Sequence, residues 1–211
     1  LISGKTPKNL SFLKTLAYGY KERYCFPIEK IILCEGITEE ILLPAFAKIC
    51  GYDFDKNGIY IISAGGKNQV VKYFYNYANC LKIPIFVLLD NDAEENLTEI
   101  RPRLRGFDKI HLLKSGEFED LLPNSLLIKT LNYTTQNISL APIEGLETST
   151  SKVEFLEEFF RHRGLHEFKK AEFAQAVKEN ITGMDDISTE IAEIIEELSH
   201  KKTPVHKREK E

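Results

Sequence analysis

Four short apolar runs, each followed by a stretch of helical periodicity or a turn-rich loop, set the strongest limit on what this chain can fold into. They are Lys30-Ile31-Ile32-Leu33-Cys34, Gly58-Ile59-Tyr60-Ile61-Ile62-Ser63, Ile83-Pro84-Ile85-Phe86-Val87-Leu88-Leu89 and Lys109-Ile110-His111-Leu112-Leu113. Continuous apolar runs of this length suit strands buried on both faces. After the first run, Thr38 can cap a helix whose apolar face is Ile41, Leu42, Ala45, Phe46 and Ile49, with Gly51 as its stop signal. Pro44 falls inside that helix and is expected to kink it. A second helix runs through Val70, Val71, Phe74, Tyr77 and Ala78, and a third covers Glu94–Arg105. Strand and helix alternating at this spacing predict an α/β fold. The expected architecture is a Rossmann-like parallel sheet of about four strands with helices on both faces, over residues 28–125.

The flanking segments read differently. Residues 7–22 carry Leu10, Leu13, Leu16 and Ala17 at helical spacing. Residues 132–151 are rich in Thr, Asn and Ser and read as a loop. Helices are expected over 152–163, 168–180 and 186–199, forming a small C-terminal helical subdomain, before a basic tail over 200–211. With 43% hydrophobic and 28% charged residues, disorder of the whole chain is excluded. Cys25, Cys34, Cys50 and Cys80 are scattered without a CxxC pair, which argues against a zinc site and for reduced thiols in a cytoplasmic protein. No apolar run approaches the length that crosses a bilayer, so no membrane partner is expected. The start, Leu1-Ile2-Ser3, reads as an internal piece of a longer protein.

Three of the runs end in acids. The first leads into Glu35-Gly36-Ile37-Thr38-Glu39-Glu40, the third into Asp90-Asn91-Asp92, and the fourth into Ser115-Gly116-Glu117-Phe118-Glu119-Asp120. Ligands of open α/β sheets bind outside the carboxyl ends of the strands. If the strands are parallel neighbours, these carboxylates meet, and their repulsion calls for a hard divalent cation such as Mg²⁺. Two such ions about 3.5–4 Å apart can clamp the attacking and leaving oxygens of a phosphodiester.

Residues 29–125 resemble a TOPRIM domain, the Mg²⁺-binding unit of topoisomerases, bacterial primases and several nucleases. The resemblance is carried by Glu35-Gly36 after the first strand and Asp90-x-Asp92 after the third. Within that superfamily the chain most resembles the C-terminal half of OLD-family (overcoming lysogenization defect) nucleases. The matching stretches are Leu33–Pro44, Ala64-Gly65-Gly66-Lys67, Asp90-Asn91-Asp92, Glu117–Pro123 and Lys170-Ala171-Glu172-Phe173-Ala174. The resemblance implies a metal-dependent DNA endonuclease with two Mg²⁺ or Mn²⁺ ions. Glu35, Glu39, Asp90 and Asp92 would be ligands, and the third cluster would supply Glu117 or Glu119. The family's Ser/Thr-x-Glu here can be read as Ser115-x-Glu117 or as Glu117-x-Glu119. Lys170 would assist at the scissile phosphate, with Lys169 as its competitor; neighbours on a helix point about 100° apart, so only one can face the site. The implied layout is a lead-in over 1–27, a TOPRIM catalytic domain over 28–130, a loop and helical subdomain over 131–200 and a tail over 201–211. An ATPase domain would lie elsewhere in the full-length protein, with DNA as the substrate, a homo-oligomer as an option and phage defence as the context. The rival reading is a non-catalytic TOPRIM-like module that binds nucleic acid or a protein.

Several features have plainer readings. Gly65-Gly66-Lys67 reads as an ordinary strand-to-helix turn, and His111 as a packed or surface histidine. The net charge is −4, from 28 basic and 32 acidic residues, and disfavours an obvious nucleic-acid binder. Two divalent cations would cancel that charge, and Arg101, Arg103, Arg105, Lys169, Lys170 and the tail are expected to form a DNA-facing patch.

Overall fold

The computed structural model describes residues 28–134, 145–146, 149, 151–165 and 167–199. The helix expected over 7–22, most of the 132–151 loop, His166 and the tail lie outside the described residues. Four parallel strands, β1 (Lys30–Cys34), β2 (Ile59–Ser63), β3 (Ile85–Leu89) and β4 (Lys109–Leu112), form one sheet in the order β2-β1-β3-β4. The order reverses direction between β1 and β3, both of which are acid-tipped. Such a switch point leaves a crevice at the carboxyl edge. β3 begins at Ile85 because Pro84 has no N–H to donate to the ladder, although its carbonyl still accepts from Ile31 N–H at 3.0 Å.

Side chains alternate across the strands and bury both faces. On one face Ile31, Leu33, Ile85, Val87 and Leu89 pack against α2 (Lys67–Cys80) and α3 (Glu94–Ile100) through Val70, Phe74, Tyr77 and Ile100. α3 stops at Ile100 because Pro102 cannot donate, and a 3-10 turn over Arg101–Arg103 replaces its last turn. On the other face Ile32, Cys34, Phe86 and Leu88 join α1 (Ile37–Ile49), which runs unbroken through Pro44. The same core takes in α4 (Asn124–Thr134), α5 (Lys152–His162), α6 (Lys170–Asn180) and α7 (Thr189–Ser199). α4 is an addition to the expected elements. Its buried residues Leu126, Leu127, Thr130 and Leu131 have helical spacing.

α7 closes the β4 side of the sheet. Lys109 Nζ donates to the carbonyl of Glu197 at 2.7 Å, and Tyr52 Oη to that of Leu198 at 3.4 Å, capping the helix's C-terminal carbonyls. His111 faces Glu190 and Glu197 of the same helix at 3.4 and 3.5 Å, so it docks α7 on the sheet. No helix among the described residues is long and apolar enough to cross a membrane. Cys34, Cys50 and Cys80 are free thiols.

Candidate metal centre

The sheet's parallel register brings the acid-bearing loops after β1, β3 and β4 to one edge, and hydrogen bonds fasten them to each other. The Asp90 N–H donates to Glu35 Oε1 at 3.0 Å, which joins the first and third loops. Asn91 joins the third loop to the one after β4. Its side-chain amide donates to the carbonyls of Leu113 and Lys114 at 3.1 and 3.0 Å, and its N–H to that of Gly116 at 3.1 Å. Thr38 Oγ1, in the first turn of α1, donates to Glu119 Oε1 at 2.7 Å. Glu39, one residue on, folds back so that Oε1 accepts the Gly36 N–H at 3.3 Å. A Cβ on residue 36 would stand 3.1 Å from Glu39 Oε2, so glycine leaves the room this fold-back uses.

The loop after β4 is built around Gly116. Its φ of +63° suits glycine, and a Cβ there would lie 2.1 Å from Asp120 Oδ2. Asp120 is thereby free to accept the Glu117 N–H at 2.9 Å and the Lys152 N–H at 2.7 Å. It orders the loop and ties it to the start of α5, while Glu117 and Glu119 reach the acid cluster. Ser115 is exposed.

Lys170 is the first residue of α6, a place where a cation opposes the helix dipole. It is held there because α6 packs through Phe173, Ala174 and Val177, and Phe168 and Phe173 stack with Phe160 of α5. Its ammonium pairs with Glu117 and lies 3.4 Å from Glu119 Oε1. Lys169 points elsewhere and pairs with Glu172 at 2.8 Å. On the opposite side of the cluster, Lys67 Nζ contacts the Asp92 carboxylate at 2.6 Å and its carbonyl at 3.2 Å. The Gly65-Gly66-Lys67 turn thus does more than link strand to helix, a pairing the local sequence did not signal.

Electrostatics record the crowding. Burial, then the neighbouring Asp90 and Glu119, push the Glu39 carboxyl up to about 8 against the backbone N–H groups that favour its charge. Burial, then Glu35, Glu117 and Glu119, raise Asp90 to about 7 although Lys170 opposes the shift. Glu35 is raised by burial and by Asp92, against the Asp90 N–H. For Lys170, burial pulls the ammonium down, but Glu117 and Glu119 outweigh it and hold it above the ordinary lysine value. The buried Cys34 thiol is held protonated, chiefly by burial.

The donor set is wholly carboxylate oxygen, which suits Mg²⁺ or Mn²⁺ better than softer metals. Among the described residues no group of three or more His, Cys, Asp or Glu side chains is placed as it stands to hold a metal ion. Instead, Lys67 and Lys170 hold Asp92, Glu117 and Glu119.

The arginines expected beside this cluster lie elsewhere. Arg105 donates to the carbonyls of Ala78, Leu81 and Ile83 and to both oxygens of Asp108, which accepts the Ile85 N–H at 2.9 Å. These residues sit at the start of β3, the amino edge of the sheet. Arg101 and Arg103, in the turn leading to β4, belong to that edge too. A chain that returns through α3 has to deliver them to the end opposite the acids.

Residues 28–92 match the family model "Overcoming lysogenization defect protein-like, TOPRIM domain". Over that segment the chain is similar to the TOPRIM domain of OLD-like proteins. The matched segment runs from just before β1 through Asp92, and the third acid cluster lies beyond it. The fold likeness extends further. The C-terminal region of the Burkholderia pseudomallei OLD protein superposes with a TM-score of 0.61 at 20% identity, over 82% of this chain and 98% of that one. The C-terminal region of the Xanthomonas campestris pv. campestris OLD protein gives 0.56 at 21% identity, over 81% and 94%. No curated protein sequence gives a significant match.

Proposed function

We propose that this chain is the nuclease part of an OLD-type protein and hydrolyses DNA phosphodiester bonds with the help of two divalent cations, Mg²⁺ or Mn²⁺. The observation that carries the reading is the gathering of carboxylates from three strand ends, with the Lys170 ammonium beside them. Burial, with their mutual repulsion added, pushes Asp90 to about 7 and Glu39 to about 8, a cost that folding alone gives no reason to bear. Glu35, Glu39, Asp90 and Asp92 would hold the cations, with Glu117 and Glu119 completing the set. Bound there, the cations would stabilise negative charge on the phosphodiester and make water a better nucleophile.

The chain's own groups divide the remaining work. The Asp90 N–H orients Glu35, Thr38 orients Glu119, and the Gly36 N–H orients Glu39. Raised chiefly by burial, the Glu39 and Asp90 carboxyls hold a proton more strongly than ordinary carboxyls do. Lys170 provides a fixed positive charge where a phosphate entering the cluster gains negative charge. The partner would be an ATPase domain in the same full-length protein. A cytoplasmic location and a homo-oligomer fit this role, as does a part in phage defence.

One observation favours the non-catalytic rival: two lysines already neutralise three of the acids. A plasmid-nicking assay separates the two readings. With supercoiled DNA and Mg²⁺ or Mn²⁺, the wild-type chain nicks, and Asp90→Ala lowers the rate by about a hundredfold or more. Undiminished nicking by Asp90→Ala overturns the site. Metal binding without nicking by the wild type favours the rival. Lys170→Ala should slow nicking with metal affinity largely kept; an effect confined to Lys169→Ala would move the role to that residue.

A further inference from the structure

Lys67 is held at the acid cluster by its own backbone. The N–H groups of Gly65 and Gly66 both donate to the Glu35 carbonyl at 2.9 Å, so the start of α2 stays beside the loop that carries Glu35. From there Nζ crosses to the loop after β3 and takes the Asp92 carboxylate at 2.6 Å. The side chain of Lys67 is 37% exposed and that of Asp92 is 73% exposed. A pair so open to water is weak and exchanges readily. Its partner is one of the carboxylates assigned above to a divalent cation. An ammonium this close and a divalent ion on the same carboxylate would repel each other, so the two are alternatives.

We infer that Lys67 is a tethered counter-cation: it occupies Asp92 until a divalent ion takes that carboxylate, and then turns to a phosphate of the bound DNA. The inference rests on the metal-dependent reading of the site and adds a coupling between metal loading and DNA binding. The surroundings support the second half. DNA must approach an acidic cluster, and among the described residues the other cations at that edge have partners outside the Asp92 loop: Lys170 faces Glu117 and Glu119, and Lys114 pairs with Glu193. Arg101, Arg103 and Arg105 lie at the opposite edge, and Lys169 is paired with Glu172. The first N–H groups of a helix have no partner within it and favour an anion, and Lys67 stands at that end of α2.

Two titrations of the full chain test the coupling. In calorimetric titration with Mn²⁺ at low salt, Lys67→Ala should bind about two- to fivefold tighter than wild type, the range a surface ion pair supports. The gain should shrink as salt rises. Lys67→Arg should stay near wild type. Lys72→Ala, an exposed lysine further along the same helix, should change nothing. In the second titration, a short fluorescent DNA duplex is bound in the presence of Ca²⁺. Lys67→Ala should lose about three- to tenfold in affinity, and its slope of log affinity against log salt should be shallower by about one. Metal affinity equal to or weaker than wild type in Lys67→Ala overturns the inference, as does an unchanged DNA affinity and slope. Those results leave the metal centre standing. A wild-type chain that takes up no divalent ion removes the metal centre and this inference with it.

Discussion

Glu39 condenses the chemistry of the site into one residue. It is 4% exposed, faces Asp90 and Glu119, and has its carboxyl raised from 4.5 to about 8. A carboxyl whose pKa rises on folding binds more protons in the native state than in the unfolded state. Its contribution to stability is therefore complete below about pH 4.5 and is lost as pH rises through about 8. In metal chelator, the wild-type melting temperature should fall across that window. Glu39→Gln, which keeps an oxygen for the Gly36 N–H, should flatten the fall, melt higher at pH 8 and be more stable there by on the order of a few kcal/mol. Thermal melts at several pH values measure it; an unchanged slope in Glu39→Gln would show that the carboxyl is not crowded. Added Mg²⁺ should stabilise the wild type and have less effect on the variant, which lacks one ligand. The convergence of the acidic loops at one edge was legible because each follows an apolar run in a parallel sheet. Which of them interact was not, because Thr38 meets Glu119 across 81 positions of sequence.

At the scale of elements, the loops after β3 and β4 behave as one piece because Asn91 bonds three carbonyls of the second loop. Asn91→Ala removes the two side-chain bonds and keeps the backbone one. It should cost about 1–3 kcal/mol of stability and weaken divalent-ion binding while the circular dichroism spectrum stays native. Full metal affinity in that variant would show that the loops hold their places without the amide. In sequence Asp90-x-Asp92 is two acids around a neutral spacer; in the structure the spacer ties their loop in place. α4 carries a weak sequence signal for a related reason: its helical spacing spans few turns and opens onto a stretch rich in Thr, Asn and Ser. Sequence order alone leaves both Lys169 and Lys170 able to face the site. The seating of α6 against its neighbours through Phe173, Ala174 and Val177 turns Lys170 to the acids and leaves Lys169 to Glu172.

For the whole molecule, the governing fact is that the helices after β4 bury their apolar faces in the same core as one face of the sheet. Ile194 of α7 is fully buried in that core. Ile194→Ala should cost about 2–5 kcal/mol and lower a single melting transition that sheet and helices share. A separate low-temperature transition, with the rest of the melt unmoved, would instead make the C-terminal helices an independent unit.

Periodicity and chain order were enough to determine a parallel α/β sheet with acids at the carboxyl ends of its strands. Strand period and helix period are local properties, and a parallel connection dictates which end of a strand meets the next loop. The placing of Lys67 on Asp92, Thr38 on Glu119, and the arginines at the far edge required the tertiary structure. Each depends on distances between segments that only packing sets, since charge and hydrogen-bond partners act through space while sequence records order along the chain.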